Sequence, residues 1–310
     1  MMREIFPNIG TQQTLEEVLK AIDCDFTAEQ VPVHQELPNS TVERVFEEIP
    51  GYSVVRRGDN KIALGVHSAR YGLTQYKETL AFLNDIAGQN QVTFQSATSI
   101  DNGARVYIAM KAPNTVVFAP GDEIQCYYTA GTSHDGTGSI ELMCSPVHTK
   151  SQTILTTLDS GIIRMRHTAK VKDRLARASG TINKMNEIWS RHADKFTKFC
   201  NLPVSDLDAR AYFALVVPSD VEPVHTRTQN VRDKMFDIYK AGMTSNLPSC
   251  QGTLLGCFVA ALIFGDYYKT VRKSIIGRTE HDIMVESRLS GTSARFKADA
   301  FHAALKMARL

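Results

Sequence analysis

The fold prediction starts from residues 92–112, which read VTFQSATSIDNGARVYIAMKA. Two runs rich in β-branched and aromatic residues flank the Asp-Asn-Gly triplet at 101–103. Asn-Gly between such runs is a strong signal for a tight hairpin turn, because both residues adopt positive φ at little cost. The segment therefore predicts two antiparallel strands, 92–100 and 104–112.

The neighbouring segments extend this antiparallel pattern. Residues 123–131 and 139–147 predict a third and a fourth strand, with residues 113–121 as a loop before the third. Before the opening segment, residues 52–71 (YSVVRRGDNKIALGVHSARY) form two β-rich halves about a polar turn and predict a separate hairpin. A helix is expected between the two hairpins, with Thr74 as its N-cap and apolar residues at helical spacing: Tyr76, Leu80, Leu83 and Ile86.

Helical spacing dominates both ends of the chain. Residues 11–24 predict a helix, and a polar, extended arm with three prolines follows up to residue 50. Beyond residue 149 a short β-like piece at 160–168 interrupts a mostly helical pattern. One long or two shorter helices are expected over 170–201, and further helices at 151–158, 228–241, 250–273 and 292–308.

The predicted fold class is α+β: a β-hairpin, helix and antiparallel meander core followed by a mostly helical C-terminal half. We divide the chain into four segments. They are an acidic N-terminal arm with one helix (1–50), the hairpin–helix–sheet core (51–150), a basic strand and helix segment (151–245) and a C-terminal helical region (246–310).

Composition sets the broad class. The chain has 310 residues, 43% hydrophobic residues and a formal net charge of +2, enough to build a sizeable core. Its six cysteines form no CxxC pair, and no signal peptide precedes them, which favours reduced thiols and a cytoplasmic location. The longest apolar run, 254–265, is about half of a membrane span, so no membrane partner is expected.

The loop GTSHDGTG, residues 131–138, is the first candidate for catalysis. Its glycines have the spacing of a phosphate-binding loop, but Thr137 stands where lysine is required, and a strand follows instead of a helix. We therefore predict a hairpin turn, with His134 and Asp135 as candidate contacts at the rim of a groove. GxSxG and HExxH are absent, so we predict no catalytic residue, no metal and no cofactor.

The basic charges suggest a nucleic-acid partner. They cluster between residues 164 and 198, whereas the first fifty residues are acidic. Arg164 and Arg166 alternate on a β-like piece and share one face, which suits a phosphate backbone. The predicted DNA-binding residues are Arg164, Arg166, His167, Lys170, Lys172, Arg174 and Arg177, with Arg56, Arg57, Lys61 and Arg70 of the first hairpin.

Two alternatives accompany this set of residues. A cluster of basic side chains on one helix is also typical of a face that only contacts water. Tyr71 and Tyr76 are candidates for stacking on bases, although tyrosines also pack in cores. For the acidic first fifty residues we expect a solvated arm.

Three stretches carry a resemblance to a known family. They are TSHDGTGSIELMCSPV (132–147), IRMRHTAKVKDRLARA (163–178) and the late region CQGTLLGCFVAALIFGDYYKTVR…SRLSGTSARFKADAFHAAL (250–305). Together they resemble the phage and plasmid-like proteins grouped as domain of unknown function 932, over about residues 50–308. Residues 147–158 lack the CxNTL motif of that family. The resemblance implies a phage or plasmid setting and no particular activity.

The predicted order of elements resembles the single-strand annealing recombinases of the Red-beta and RecT type. That resemblance implies a ring or filament of subunits that holds single-stranded DNA in a basic groove and anneals complementary strands without ATP. Subunits are then expected to meet through sheet edges of the 52–147 core. The expected partners are single-stranded DNA and further copies of the chain, and a phage exonuclease or single-stranded DNA-binding protein is a candidate partner.

Two other functions stay open from the sequence. A phage structural or assembly protein also uses oligomerising α+β domains. A metal-dependent nuclease requires clustered carboxylates. Candidate carboxylates on neighbouring strands or turns are Asp122, Glu123, Asp135 and Glu141.

Overall fold

The structure is a computed structural model. It describes residues 14–37, 44–89, 92–155, 162–165, 167, 181–270 and 278–310. The first described element is helix α1 (Leu15–Ala21), which begins after Thr14 with a reciprocal capping box between Thr14 and Glu17.

A three-stranded antiparallel sheet follows α1. Its strands β1 (Ala28–Glu36), β2 (Phe46–Arg57) and β3 (Ala63–Ser68) are hydrogen-bonded in the order β1–β2–β3. Strands β2 and β3 form the hairpin predicted at 52–71. Two short helices, α2 (Tyr76–Thr79) and α3 (Phe82–Gln89), lead from this sheet to the next.

A seven-stranded antiparallel sheet forms the centre of the molecule. Its strands are β4 (Thr93–Ile100), β5 (Arg105–Ala119), β6 (Asp122–Ser133), β7 (Ile140–Cys144), β8 (Val147–His148), β9 (Thr153–Ile154) and β10 (Ile162–Met165). The main order is β10–β7–β6–β5–β4, and the short β8 pairs with β6 and β9. The predicted turn joins β4 to β5, with positive φ at Asp101, Asn102 and Gly103.

The C-terminal half is helical, as predicted. It contains α4 (Thr181–Asn201), α5 (Asp206–Val216), α6 (Thr226–Ala241), α7 (Leu254–Ile263), a π-helical turn (Phe264–Tyr268), α8 (Glu280–Leu289) and α9 (Thr292–Met307). The α+β fold class is therefore confirmed.

Both faces of the central sheet are covered. Every residue from Val106 to Met110 on β5 is buried, which requires packing on both sides of the strand. Helix α7 is buried along its whole length and packs against α4, α5, α6 and α9. The described residues contain no helix that is both long enough and apolar enough to cross a membrane.

The prediction of a loop at residues 113–121 is wrong. Strand β5 continues through it to Ala119, and the chain turns at Gly121, which has a φ of +77°. The pairing of β5 with β6 shifts its register between Lys111 and Thr115. Pro113 lies in that irregular stretch, where its missing N–H breaks no ladder hydrogen bond.

The predicted extended arm up to residue 50 contains a strand of the smaller sheet. Residues 28–36 pair with β2, and Pro32 lies beside a register shift in that pairing. A strand tolerates proline at such a bulge because no ladder bond is lost there. The prediction of a polar, extended arm therefore missed β1.

The helix predicted at 151–158 is also wrong over its described part. Thr153 and Ile154 form β9, whereas residues 156–158 lie outside the described part of the chain. His148 and Ser151 share a hydrogen bond of 3.0 Å across the turn between β8 and β9. Such local side-chain hydrogen bonds compete with a helix.

Three helix boundaries differ from the prediction. The helix expected after Thr74 is split into α2 and α3, and Gln75 takes the N-cap position. Thr253 caps α7, so this helix begins four residues after residue 250, and it continues into the π-helical turn. Helix α8 was not predicted, because its apolar residues show no clear helical stripe in the sequence.

Candidate functional site

The loop 134–139 joins β6 to β7 and is the hairpin turn that the sequence predicted. Two of its backbone N–H groups are used inside the turn. The amide of Thr137 donates to Asp135 Oδ1 (2.8 Å), and the amide of Gly138 donates to Ser133 Oγ (3.1 Å). These amides are therefore not free to hold a phosphate.

Asp135 belongs to an ion-pair network behind the loop. Arg105 on β5 pairs with Asp135 and donates to Glu286 on α8 at 2.7 Å. Burial raises the pKa of Asp135, but the hydrogen bonds from Arg105 and Thr137 outweigh it and hold that pKa below its usual value. Arg278 extends the network to Asp101 and Glu286, both at 2.5 Å. The network fixes the loop to β5 and α8.

Three histidines and two tyrosines pack against the same loop. The ring of His134 is 1% exposed, stacks on Tyr76 at 4.1 Å and lies 3.4 Å from the hydroxyl of Tyr71. His67 Nε2 donates to the carbonyl of His134 (2.8 Å). Tyr71 lies between the rings of His67 and His167, at centroid distances of 3.8 and 5.5 Å.

His134 and His167 are neutral at neutral pH. Burial first, and then the neighbouring rings of His167 and His67, lower the pKa of His134 to about 3. Burial lowers the pKa of His167 to about 4, and His67 adds to this effect. Within the described part of the chain, no group of three or more His, Cys, Asp or Glu side chains is arranged to hold a metal ion.

A pocket of about 660 Å³ opens beside this cluster. We call it the loop pocket. Its described lining is Tyr71, Gly136, Thr137, Gly138, Ser139, Glu141, Arg164 and His167. Arg164 Nε and Ser139 Oγ both donate to Glu141 Oε1, each at 2.9 Å. The pocket thus combines an aromatic wall, a glycine-containing loop and a paired Arg–Glu wall.

The structure describes only some residues of the predicted basic segment. Arg164 lies on β10 opposite Glu141, its side chain is 51% exposed, and it lines the loop pocket. His167 is buried beside it. The remaining predicted positions lie outside the described residues: Arg166, Lys170, Lys172, Arg174 and Arg177.

Helix α4 carries further exposed basic residues after this segment. Lys184, Arg191 and Lys198 are all exposed and are spaced by seven residues. Seven residues make about two helical turns, so the three side chains share one face and span about 21 Å. None of them forms an ion pair with another described residue, but the exposed Glu187 and Asp194 lie between them on the same face, at spacings of three and four residues. We call this face the α4 stripe.

The basic residues of the first hairpin are mostly neutralised. Arg56 and Lys61 both pair with Glu29 on β1, at 3.0 and 2.9 Å. Arg57 is 4% exposed and pairs with Asp23 and Asp59. Arg70 remains exposed. Acidic residues of the first fifty therefore pair with this hairpin, where we expected a solvated arm.

Two buried polar clusters were not predicted. Asp122, His148 and Ser151 lie together, but all three are fully buried, so Ser151 is not placed to attack a substrate. Asp266 of the π-helical turn pairs with Lys297 of α9 (3.1 Å), and both are buried. These side chains hold elements together.

Residues 63–286 match the sequence model of a family described as Domain of unknown function (DUF932). The chain belongs to the DUF932 family. The matched part of this DUF932 protein runs from β3 into α8 and includes the loop pocket and the α4 stripe. No curated protein and no solved structure matches the chain. The resemblance to annealing recombinases therefore stays a prediction.

Proposed function

We propose that this DUF932 protein binds single-stranded DNA and anneals complementary strands without ATP. The observation that carries the proposal is the α4 stripe, three exposed basic side chains that form no ion pair with a described residue, although Glu187 and Asp194 lie on the same helix face. It follows directly in sequence from the basic residues 164–177. Unpaired cations in a row bind a phosphate backbone because they release its condensed counterions.

The position of Arg164 supports the same surface. Arg164 is half exposed and lines the loop pocket, and the partly exposed ring of Tyr71 lines it as well. Single-strand binding proteins combine a cationic track with aromatic side chains that stack on bases. Arg57 and Tyr76 do not contribute, because both side chains are buried.

Assembly into a ring or filament is part of the proposal. Tyr52 and Val66 are 55% and 61% exposed, and their strands place them on the outer face of the smaller sheet. Strands β3 and β4 lie at the edges of their sheets. An exposed apolar face and the terminal strands of a sheet are features through which further copies associate. A location in the cytoplasm, of a host cell if the chain is phage-encoded, completes the proposal.

An annealing assay tests the proposal. Complementary fluorescent oligonucleotides are mixed with the protein without ATP or metal, and sedimentation velocity follows the assembly. We expect annealing faster than the spontaneous reaction. Binding to neither strand at low salt would overturn the proposal, and Mg²⁺-dependent degradation of the strands would favour a nuclease instead. Assembly without DNA binding would favour a structural phage protein.

The double variant Arg164→Ala/Arg166→Ala tests the start of the basic segment. We expect weaker binding of an oligonucleotide and a flatter dependence on salt, because each phosphate contact to a single strand contributes a slope of about 0.7. The double variant Lys20→Ala/Lys77→Ala, at two exposed sites outside this segment, is the control. An unchanged affinity in the first variant would remove these arginines from the DNA-binding surface.

A further inference from the structure

We propose that the end of the β1–β2 hairpin binds to the α4 stripe of a second copy of this chain. We call this end the hairpin arm, and its described residues are 34–37 and 44–51. The inference rests on the assembly that the proposed function includes, but it does not depend on DNA. It goes further by naming the segment that makes the contact and the surface that receives it.

The hairpin arm extends beyond the smaller sheet. Strand β3 pairs with β2 from Tyr52 to Arg56, so the arm has two strands where the body of the sheet has three. A register shift separates the two parts, because Val33 alone faces residues 49–52, and Gly51 there has a φ of +83°. A bulge bends the strand that carries it. The arm is therefore a two-stranded ribbon that leaves the sheet at a bulge.

Both faces of the hairpin arm are exposed. Neighbouring residues of a strand point to opposite faces, yet all described residues of the arm are exposed except Ile49. Its end carries three exposed apolar side chains, Leu37, Val45 and Phe46. Leu37 donates a backbone hydrogen bond of 3.0 Å to Val45, so these side chains lie together. A two-stranded ribbon is only marginally stable alone in water, and adjoining exposed apolar residues mark contact surfaces. We therefore expect the arm to pack against another molecule.

The charge of the hairpin arm favours a basic partner. Glu36, Glu47 and Glu48 are exposed, whereas the single arginine of its described residues, Arg44, pairs with Glu36 at 3.6 Å. This negative charge disfavours nucleic acid, an anionic lipid surface and a second arm. The chain itself carries the complementary charge, since residues 164–198 contain ten lysines and arginines against three acidic residues. A second copy thus fits as the partner, with the two copies meeting head to tail.

The α4 stripe provides the described part of this basic region. Its cations span about 21 Å, and residues 44–51 of the arm span about 23 Å in an extended strand. The partly exposed Ile188 lies between Lys184 and Arg191 on the same side of the helix, and the aliphatic stems of the cations add apolar surface. The acidic residues between the cations reduce the net charge of this face. We therefore expect apolar contact to supply most of the affinity, while charge selects the partner.

The contact is tested on DNA-free protein, because a bound strand would occupy the same cations. Sedimentation velocity at low salt measures the self-association of the wild type and of the tip variant, Val45→Ser/Phe46→Ser. Loss of these apolar side chains should weaken association at least about tenfold, because a buried aromatic residue is typical of an interface hot spot. Val117→Ser/Leu207→Ser removes two apolar side chains of greater exposure elsewhere, and this control should associate as wild type.

Mixing two variants identifies the surfaces that meet. The stripe variant, Lys184→Ala/Arg191→Ala/Lys198→Ala, keeps the arm, whereas the tip variant keeps the stripe. Each alone should associate weakly, and an equimolar mixture should form heterodimers, because the arm of one variant binds the stripe of the other. A contact between two arms predicts full self-association of the stripe variant and no gain on mixing, and that result would overturn the proposal.

Neutralising the hairpin arm gives an effect of defined sign. Glu47→Gln/Glu48→Gln should weaken association if the arm binds a basic surface, whereas it should strengthen a contact between two acidic arms. Glu16→Gln/Glu222→Gln, at exposed sites outside the arm, is the matched control and should leave association unchanged.

Three further results would contradict the contact: a monomeric wild type, unchanged association of the tip variant, or a mixture without heterodimers. All three are measured without DNA, so they leave DNA binding by the proposed function intact. Conversely, a wild type that associates through the arm but binds no oligo-dT would overturn the proposed function and leave the arm contact intact.

Discussion

The variant Lys297→Ala is expected to lose about 3–5 kcal/mol of unfolding free energy. Lys297 and Asp266 form an ion pair in which both side chains are essentially inaccessible to solvent. Removing the lysine leaves the Asp266 carboxylate buried beside the Ser293 hydroxyl at 3.2 Å, while Arg288 donates to the backbone carbonyl of Asp266. A buried charge without an opposite charge is strongly destabilising.

Denaturant unfolding measures this loss. Lys306→Ala, at an exposed site on the same helix α9, is the matched control and should change the free energy by less than about 0.5 kcal/mol. The double variant Asp266→Leu/Lys297→Met should recover most of the loss, because an apolar pair of similar volume requires no desolvation of charges. Equal stability of Lys297→Ala and Lys306→Ala would contradict a buried ion pair.

The second large effect is expected on acidification. The pKa values of His134 and His167 lie at about 3 and about 4 in the folded protein, below the ordinary value of 6.5. As the pH falls, these two imidazoles therefore bind protons in the unfolded chain at a higher pH than in the folded protein. The stabilisation from these neutral rings is fully present above about pH 6.5 and is lost as the pH falls towards 4 and 3. Between pH 7 and pH 5 we expect a loss on the order of 2 kcal/mol per histidine.

Unfolding free energies measured at pH 7, 6 and 5 check this expectation. The double variant His134→Gln/His167→Gln should be less stable at pH 7 but should depend less on pH. His302→Gln, at an exposed site on α9, should keep the full dependence of the wild type. If the double variant and the wild type lose stability in parallel, the two histidines are not the buried neutral groups that the structure shows.

Local signals explain which parts of the fold the sequence predicts. The turn at 101–103 depends on residues within a few positions of each other. The predicted strands and the helices α6 and α9 follow from periodicity within one segment. The family resemblance rested on ordered motifs, and the match over residues 63–286 confirms it.

The missed features depend on partners far apart in sequence. Strand β1 becomes visible only through its pairing with β2, and Glu29 neutralises Arg56 and Lys61 across that pairing. The loop pocket brings Tyr71 together with Glu141 and Arg164 from three separate segments. No local pattern of residues predicts that these three segments lie together. The sequence therefore marked Arg164 and the loop as candidates but not the pocket that they form.

The α4 stripe offers the most direct test of single-strand binding. The affinity of a fluorescent oligo-dT is measured from low to high salt for the wild type, for Lys184→Ala/Arg191→Ala/Lys198→Ala and for a control triple variant at exposed sites elsewhere, Lys20→Ala/Lys77→Ala/Lys306→Ala. Tight, salt-dependent binding by the wild type and the control is expected, with a slope lower by about 2 in the stripe variant. No binding by the wild type at low salt, or an unchanged slope in the stripe variant, would contradict the proposed DNA-binding surface.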